Sequence, residues 1–171
     1  MSDTFISTER FFLRELTEDD ATERYLSWFG DYNTKKFILS AANTTSLLFL
    51  RQYILDRINR KDILFLGIFE KKSGLHIGNI KYEPVNSNLG YTIMGILIGD
   101  YSFRGKGVSS EVLKATATWL NAHRQIEQIL LGVSKDNIGA IRSYEKTGFK
   151  VAKTPYINQT DPNIITMVWC L

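Results

Sequence analysis

Two stretches of this chain carry residue types whose spacing suits chemistry on a small ligand. The first is Ile98-Gly99-Asp100-Tyr101-Ser102-Phe103-Arg104-Gly105-Lys106-Gly107-Val108-Ser109-Ser110, which joins a predicted strand to a predicted helix. Glycines there let the backbone turn sharply and present free N–H groups, and a helix start adds four more unpaired donors with a positive dipole end. Together these suit a phosphate or pyrophosphate, and Arg104 and Lys106 add charge for the same ligand. A Walker loop needs GxxxxGK followed by Ser or Thr, and Lys106 is followed by Gly107, so that identity fails. A dinucleotide fingerprint would need Gly where Ser110 stands, and Asp136 comes too late to be its ribose partner. An acyl-coenzyme A loop, [QR]xxGx[GA], fits Arg104 to Val108, with Ser109 at the last position where Gly or Ala is usual.

The second stretch is Asn137-Ile138-Gly139-Ala140-Ile141-Arg142-Ser143-Tyr144-Glu145-Lys146-Thr147-Gly148-Phe149. Seven residues advance close to two helical turns, so Asn137, Ala140, Ile141 and Tyr144 share one stripe. Gly148 is placed to cap the helix in a left-handed conformation. A phenol on the face turned to the sheet is either a core aromatic whose hydroxyl reaches the surface or a proton donor.

The elements that must position these groups follow from periodicity. Strands are predicted at Phe5–Leu16, Ile63–Phe69, Leu75–Tyr82, Leu89–Ile98, Gln128–Ser134, Phe149–Ala152 and Ile164–Trp169. Thr17 to Asp20 reads as a capping box for a helix through Ala21, Tyr25 and Trp28. A second helix, starting around Asn43 to Thr45, carries Leu47, Leu50, Ile54 and Ile58 as its apolar stripe. Two more helices run from Val108 to Ala122 and from Asn137 to Thr147. Three consecutive strands argue for an antiparallel meander, and the strand–helix–strand units after them for a parallel portion. The fold expected is α+β, with a mixed, mostly antiparallel central sheet of about seven strands and helices on both faces.

Composition bounds the rest. A chain of 171 residues, 44% hydrophobic and 12% aromatic, has room for one domain, 1–171, with a substantial core. The one cysteine, Cys170, and two histidines, His76 and His123, give no zinc spacing, so no metal is expected. Net charge is +3, from 21 basic and 18 acidic residues, with no basic block, which argues against nucleic acid. The longest apolar run, Leu89 to Gly99, is about half of what a membrane span needs, and the opening residues lack a signal-peptide pattern. A cytoplasmic protein without membrane attachment is the expectation.

The two motifs, in this order with one strand between them, resemble the GNAT superfamily, the GCN5-related N-acetyltransferases, in the branch typified by ribosomal-protein acetyltransferases. Asn137 to Phe149 is similar to that family's NxxAxxxYxKxGF string. The resemblance implies the acyl-CoA N-acyltransferase fold, acetyl-CoA as cosubstrate, and direct transfer of an acetyl group to a primary amine. It implies that Arg104, Gly105, Lys106, Gly107, Val108 and Ser109 hold the pyrophosphate of coenzyme A. It implies that Asn137 and Ala140 receive the pantetheine arm, and that Tyr144 lies near the sulfur as general acid. It also implies that strand backbone at Leu97 and Ile98 pairs with the pantetheine amides and that a backbone N–H there stabilises the oxyanion.

The proton acceptor and the amine stay open at this level. The strand Leu89–Ile98 has no Asp, Glu or His. Candidates for the base are His76, Glu83 and Asp31, with a chain of waters as the rival, while His123 reads as a solvated dipole partner at a helix end. Trp28, Phe29, Tyr32 and Phe37 are core aromatics or a stacking surface for an acceptor ring. Lys35 and Lys36 are a solvated pair or a phosphate contact. The acceptor is an amine-bearing small molecule, such as an amino sugar, or a peptide N-terminus. A module that binds acyl-CoA without transfer is the alternative. The last strand offers a face on which a second copy could pair to make a homodimer.

Overall fold

The computed structural model describes residues 4–37 and 45–171. The first predicted strand is in fact a hairpin, β1 (Phe5–Ser7) and β2 (Phe11–Glu15), with Ile6 opposite Leu13. Thr8 makes the turn: its N–H donates to the Phe11 carbonyl at 2.8 Å, and its hydroxyl accepts from the Phe11 N–H at 2.9 Å. The polar break Thr8-Glu9-Arg10 separates two strands, and the sheet accordingly has eight strands rather than about seven.

Thr17 and Asp20 form the expected box, Asp20 accepting from the Thr17 N–H at 2.7 Å, but it closes only a 3-10 turn at Glu18–Asp20. Helix α1 (Glu23–Trp28) starts after Thr22, whose hydroxyl caps the Tyr25 N–H. A short helix absent from the sequence reading, α2 (Tyr32–Phe37), follows, with Asp31 accepting from the Thr34 N–H at 3.0 Å. Helix α3 (Leu47–Leu55) is capped by Ser46, one residue past the expected start; Asn43 and Thr44 lie outside the described residues.

The remaining elements are β3 (Leu64–Glu70), β4 (His76–Asn86), β5 (Tyr91–Ile98), α4 (Val108–Arg124), β6 (Gln128–Ser134), α5 (Ile138–Thr147), β7 (Lys150–Val151) and β8 (Ile164–Cys170). The sheet order is β1-β2-β3-β4-β5-β6-β8-β7. Every pairing is antiparallel except β5 with β6, which are joined by the α4 crossover that a parallel pair requires. The mixed, mostly antiparallel α+β architecture with helices on both faces is therefore present. β8 lies between β6 and β7, which pairs with it at Met167 and Val168.

Alternation of side chains builds a core on each face of the sheet. One holds Leu66, Ile68, Ile80, Tyr82 and Met94 against Val112, Leu113 and Leu120 of α4. The other holds Leu16, Phe65 and Leu97 against Tyr25 and Trp28 of α1 and Leu50 and Ile54 of α3. Gly99 permits this second packing, since a Cβ there would lie 1.9 Å from the Trp28 ring. Among the described residues, no helix is long and apolar enough to cross a membrane.

Candidate functional site

The single parallel pair is also the place where the sheet opens. β5 and β6 are in register only at Tyr91–Gln128, Thr92–Ile129 and Ile93–Leu130. Beyond these, β5 stays with β4 as far as Ile98 and β6 stays with β8 as far as Ser134, so the two strands part. The Gly99 N–H donates to the Ile77 carbonyl at 2.9 Å. Strand alternation then turns the backbone groups of Leu97 toward Asn79, and those of Ile96 and Ile98 into the gap. A cleft of about 1020 Å³ occupies the gap, bounded by β4, β5, the loop after β5, β6 and α5.

At one end of the cleft stand the glycine loop and the start of α4. Gly105 (φ +71°) and Gly107 (φ +74°) adopt left-handed conformations that other residues take only with strain. None of the N–H groups of residues 105–110 has an acceptor among the described residues. Gly105, Gly107, Val108, Ser109 and Ser110 line the cleft, so this cradle of donors opens into it. Lys106 is exposed, and its carbonyl accepts from Arg10 at 3.0 Å. Arg10 in turn pairs with Glu111 at 2.7 Å, which ties the loop to the β1–β2 turn.

Arg104 serves the loop differently. Its Nε donates to the Ile98 carbonyl at 2.9 Å, and its other nitrogens reach Asp31 at 3.0 Å and the Gly99 carbonyl at 3.2 Å. It braces the end of β5 against α2 while still lining the cleft.

Helix α5 forms the opposite wall. Asn137 caps it, its Oδ1 accepting from the Ala140 N–H at 3.3 Å, which leaves the amide NH₂ available. Asn137, Ala140 and Tyr144 all line the cleft, on the one stripe that helical spacing predicts. Tyr144 packs against Phe149 at 5.6 Å between centroids, and its hydroxyl has no hydrogen-bond partner among the described residues. Burial pushes this phenol up to about 12, so its proton stays on Oη throughout the neutral range.

The other half of the cleft lies over the α1–α3 face of the sheet. Tyr25, Phe29, Phe37, Tyr53 and Phe65 form its apolar walls. Asn79, Lys81 and Glu83 project from β4, and Gly95 faces Lys81 across the strands with nothing within 4 Å of a Cβ built on it. Glu83 accepts from Lys81 at 2.7 Å and Arg57 at 3.3 Å. Its burial raises the carboxyl, but Lys81 and Arg57 outweigh that and hold it below the ordinary range. Arg57 and Lys81 also lie 3.6 Å and 5.5 Å from the centroid of the Tyr53 ring.

Of the three side chains read as bases, only Glu83 lines this cleft. Asp31 is bound by the Thr34 N–H and Arg104, which lower its pKa. His76 packs against Tyr25, Trp28 and Phe69, its buried Nε2 without a partner among the described residues, and desolvation pushes it down to about 4. Sequence reasoning missed Asn79, Lys81 and Tyr53. Polar residues alternating with Ile80 and Tyr82 are the signal for the first two, and nothing in the sequence brings Tyr53 or Arg57 to them. Among the described residues no cluster of His, Cys, Asp or Glu could hold a metal.

The profile of the acetyltransferase (GNAT) domain family matches residues 10–150. No curated protein matches the chain by sequence. Solved structures share its fold at low identity. An acetyltransferase of the GNAT family from Bacillus anthracis is 16% identical over 98% of both chains, with a TM-score of 0.80. RimL, the ribosomal L7/L12 alpha-N-protein acetyltransferase, solved with coenzyme A, is 16% identical over 98% of both, at 0.84. The microcin C7 self-immunity acetyltransferase MccE, solved with acetyl-CoA and AMP, is 14% identical over 95% of this chain and 93% of its own, at 0.81.

Proposed function

The chain belongs to the GNAT acetyltransferase family, and from that premise we propose that it transfers an acetyl group from acetyl-CoA to a primary amine by direct attack. The observation that carries this reading is the cleft where β5 and β6 part, with an amide cradle at one end and a phenol on its wall. Acetyl-CoA supplies an activated thioester carbonyl. The free N–H groups of 105–110 suit its pyrophosphate, with Lys106 as the accompanying charge. Arg104 acts there as the brace that sets the loop, through Ile98 and Asp31.

The backbone groups of Ile96 and the N–H of Ile98, next to Leu97, suit the amides of a pantetheine arm, while the Ile98 carbonyl is held by Arg104. The Asn137 NH₂ and the small Ala140 suit the arm's other side. Tyr144 keeps its proton on Oη and donates it to the departing sulfur. Glu83, a weak base because two cations hold it ionised, leaves the amine's proton to water in the open cleft. The acceptor is an amine-bearing small molecule or a peptide N-terminus, and the place of action we infer is the cytoplasm.

Thermal shift with acetyl-CoA, coenzyme A, ATP and NAD tests the premise, followed by thiol release with a panel of amines. Stabilisation by the two coenzyme A compounds alone, with thiol release on some amine, is expected. Binding without release on any amine would make the protein an acyl-CoA-binding module. No response to coenzyme A would overturn the reading.

A further inference from the structure

We propose that the far half of the cleft selects a primary amine whose own skeleton carries an anionic group, a carboxylate or a phosphate, and that Lys81 receives that anion. This rests on the acetyltransferase reading and names the substrate class for it. This half of the cleft carries unbalanced charge. Lys81, Arg57 and Glu83 form one cluster, with side-chain exposures of 25%, 19% and 28%. Both cations converge on a single oxygen, Oε2 of Glu83. One carboxylate against two cations leaves a unit of positive charge uncompensated beside apolar walls, where charge without a partner is costly.

Among the described residues, Glu83 is the one carboxylate that pairs with Lys81 or Arg57. Arg60 and Asp62, next along, neutralise each other at 2.6 Å. Asp31 is taken by Arg104. The segment 38–44 contains no charged residue. Among the described residues lining the cleft, Glu83 is the one carboxylate, against the four cations Lys81, Arg104, Arg142 and Lys146.

Donor counting gives the same answer. An ammonium has three protons. Lys81 gives one to Glu83 at 2.7 Å and one to the Tyr53 hydroxyl at 3.0 Å, and no third acceptor is present among the described residues. Gly95, directly opposite, leaves the space above the strand open for a ligand group to meet that third donor. A polyamine would bring further positive charge to a site that already has an excess, with its carboxylate twice engaged.

The test uses matched amines with acetyl-CoA and the full chain, read as thiol release. One pair is O-phosphoethanolamine against ethanolamine, and a second is glucosamine 6-phosphate against glucosamine. A third sets a peptide with an N-terminal Ser followed by two Glu against one followed by two Lys, which separates a small-molecule anion from an acidic peptide. We expect at least one anionic member to exceed its partner about tenfold in kcat/KM, and spermidine to be poor. Lys81→Gln should erase that preference through KM, while Lys81→Arg keeps it. Acetyl-CoA thermal shift on each variant confirms that the fold and cofactor half are intact. Preference for the neutral or cationic members, turnover of no anionic amine, or a preference that survives Lys81→Gln would overturn the proposal. Failure of the wild-type protein to bind acetyl-CoA would overturn the acetyltransferase reading itself, and the proposal with it.

Discussion

Tyr82 and Tyr144 carry the same phenol, yet their surroundings give them different work. Tyr82 is sealed in the core with its hydroxyl 2.6 Å from that of Thr116, so its proton is committed to structure. Tyr144 reaches the cleft and has no partner among the described residues. Tyr144→Phe should therefore lower kcat by about tenfold or more while leaving the acetyl-CoA dissociation constant within about twofold. Steady-state kinetics with a titration of acetyl-CoA binding checks both halves. His76 shows the cost of burial without a partner. It is neutral when folded, with a pKa pushed down to about 4 from 6.5, so the unfolded chain binds the proton more readily. Stability is thus complete above pH 6.5 and falls as pH drops toward 4, by up to about 3 kcal/mol over that window. Urea unfolding at pH 7 and pH 4.5 measures it, and His76→Phe should flatten the dependence.

At the scale of elements, a glycine can matter through its φ angle. Gly107 precedes α4 at φ +74° and opens onto the cleft, where its backbone N–H has no acceptor among the described residues. Gly107→Val should strain the turn and block the cradle, and acetyl-CoA binding by thermal shift should be lost while the melting temperature falls by only a few degrees. These local devices were readable in the sequence, since turn chemistry, caps and helical stripes lie within a few residues of one another. The strand Gln128–Ser134 appears at its predicted bounds, and Asn137, Ala140 and Tyr144 line one wall as their spacing requires. What was not legible depends on contacts between distant segments. Thr8 ends a strand through its own hydroxyl, a contact that the Phe-rich flanks of the polar Thr8-Glu9-Arg10 do not announce. Arg104 looked like a phosphate ligand from its motif, and its tie to Asp31 spans two elements. The cluster of Arg57, Lys81 and Glu83 needs α3 laid over β4, which periodicity alone does not specify.

Over the whole molecule, the two ends of the chain contribute different halves of one sheet. β1 to β5 form a meander, β6 to β8 form a smaller antiparallel set, and three residue pairs of β5 and β6 join them. The charge pattern follows the same division, with an amide cradle and the α5 basic residues at the cofactor end and the Lys81 cluster at the other. An extended ligand laid in the opening would hydrogen-bond to both halves at once. With nothing laid between them, however, the parted strands would be two sheet edges turned toward each other inside a folded domain. Exposed edges invite pairing with any extended peptide, and proteins usually cover or charge them. Here the walls of α5 and the glycine loop limit what can approach, and a cosubstrate laid between the strands, as proposed above, would also cover them. On that proposal, catalysis and protection against mispairing would draw on the same backbone groups.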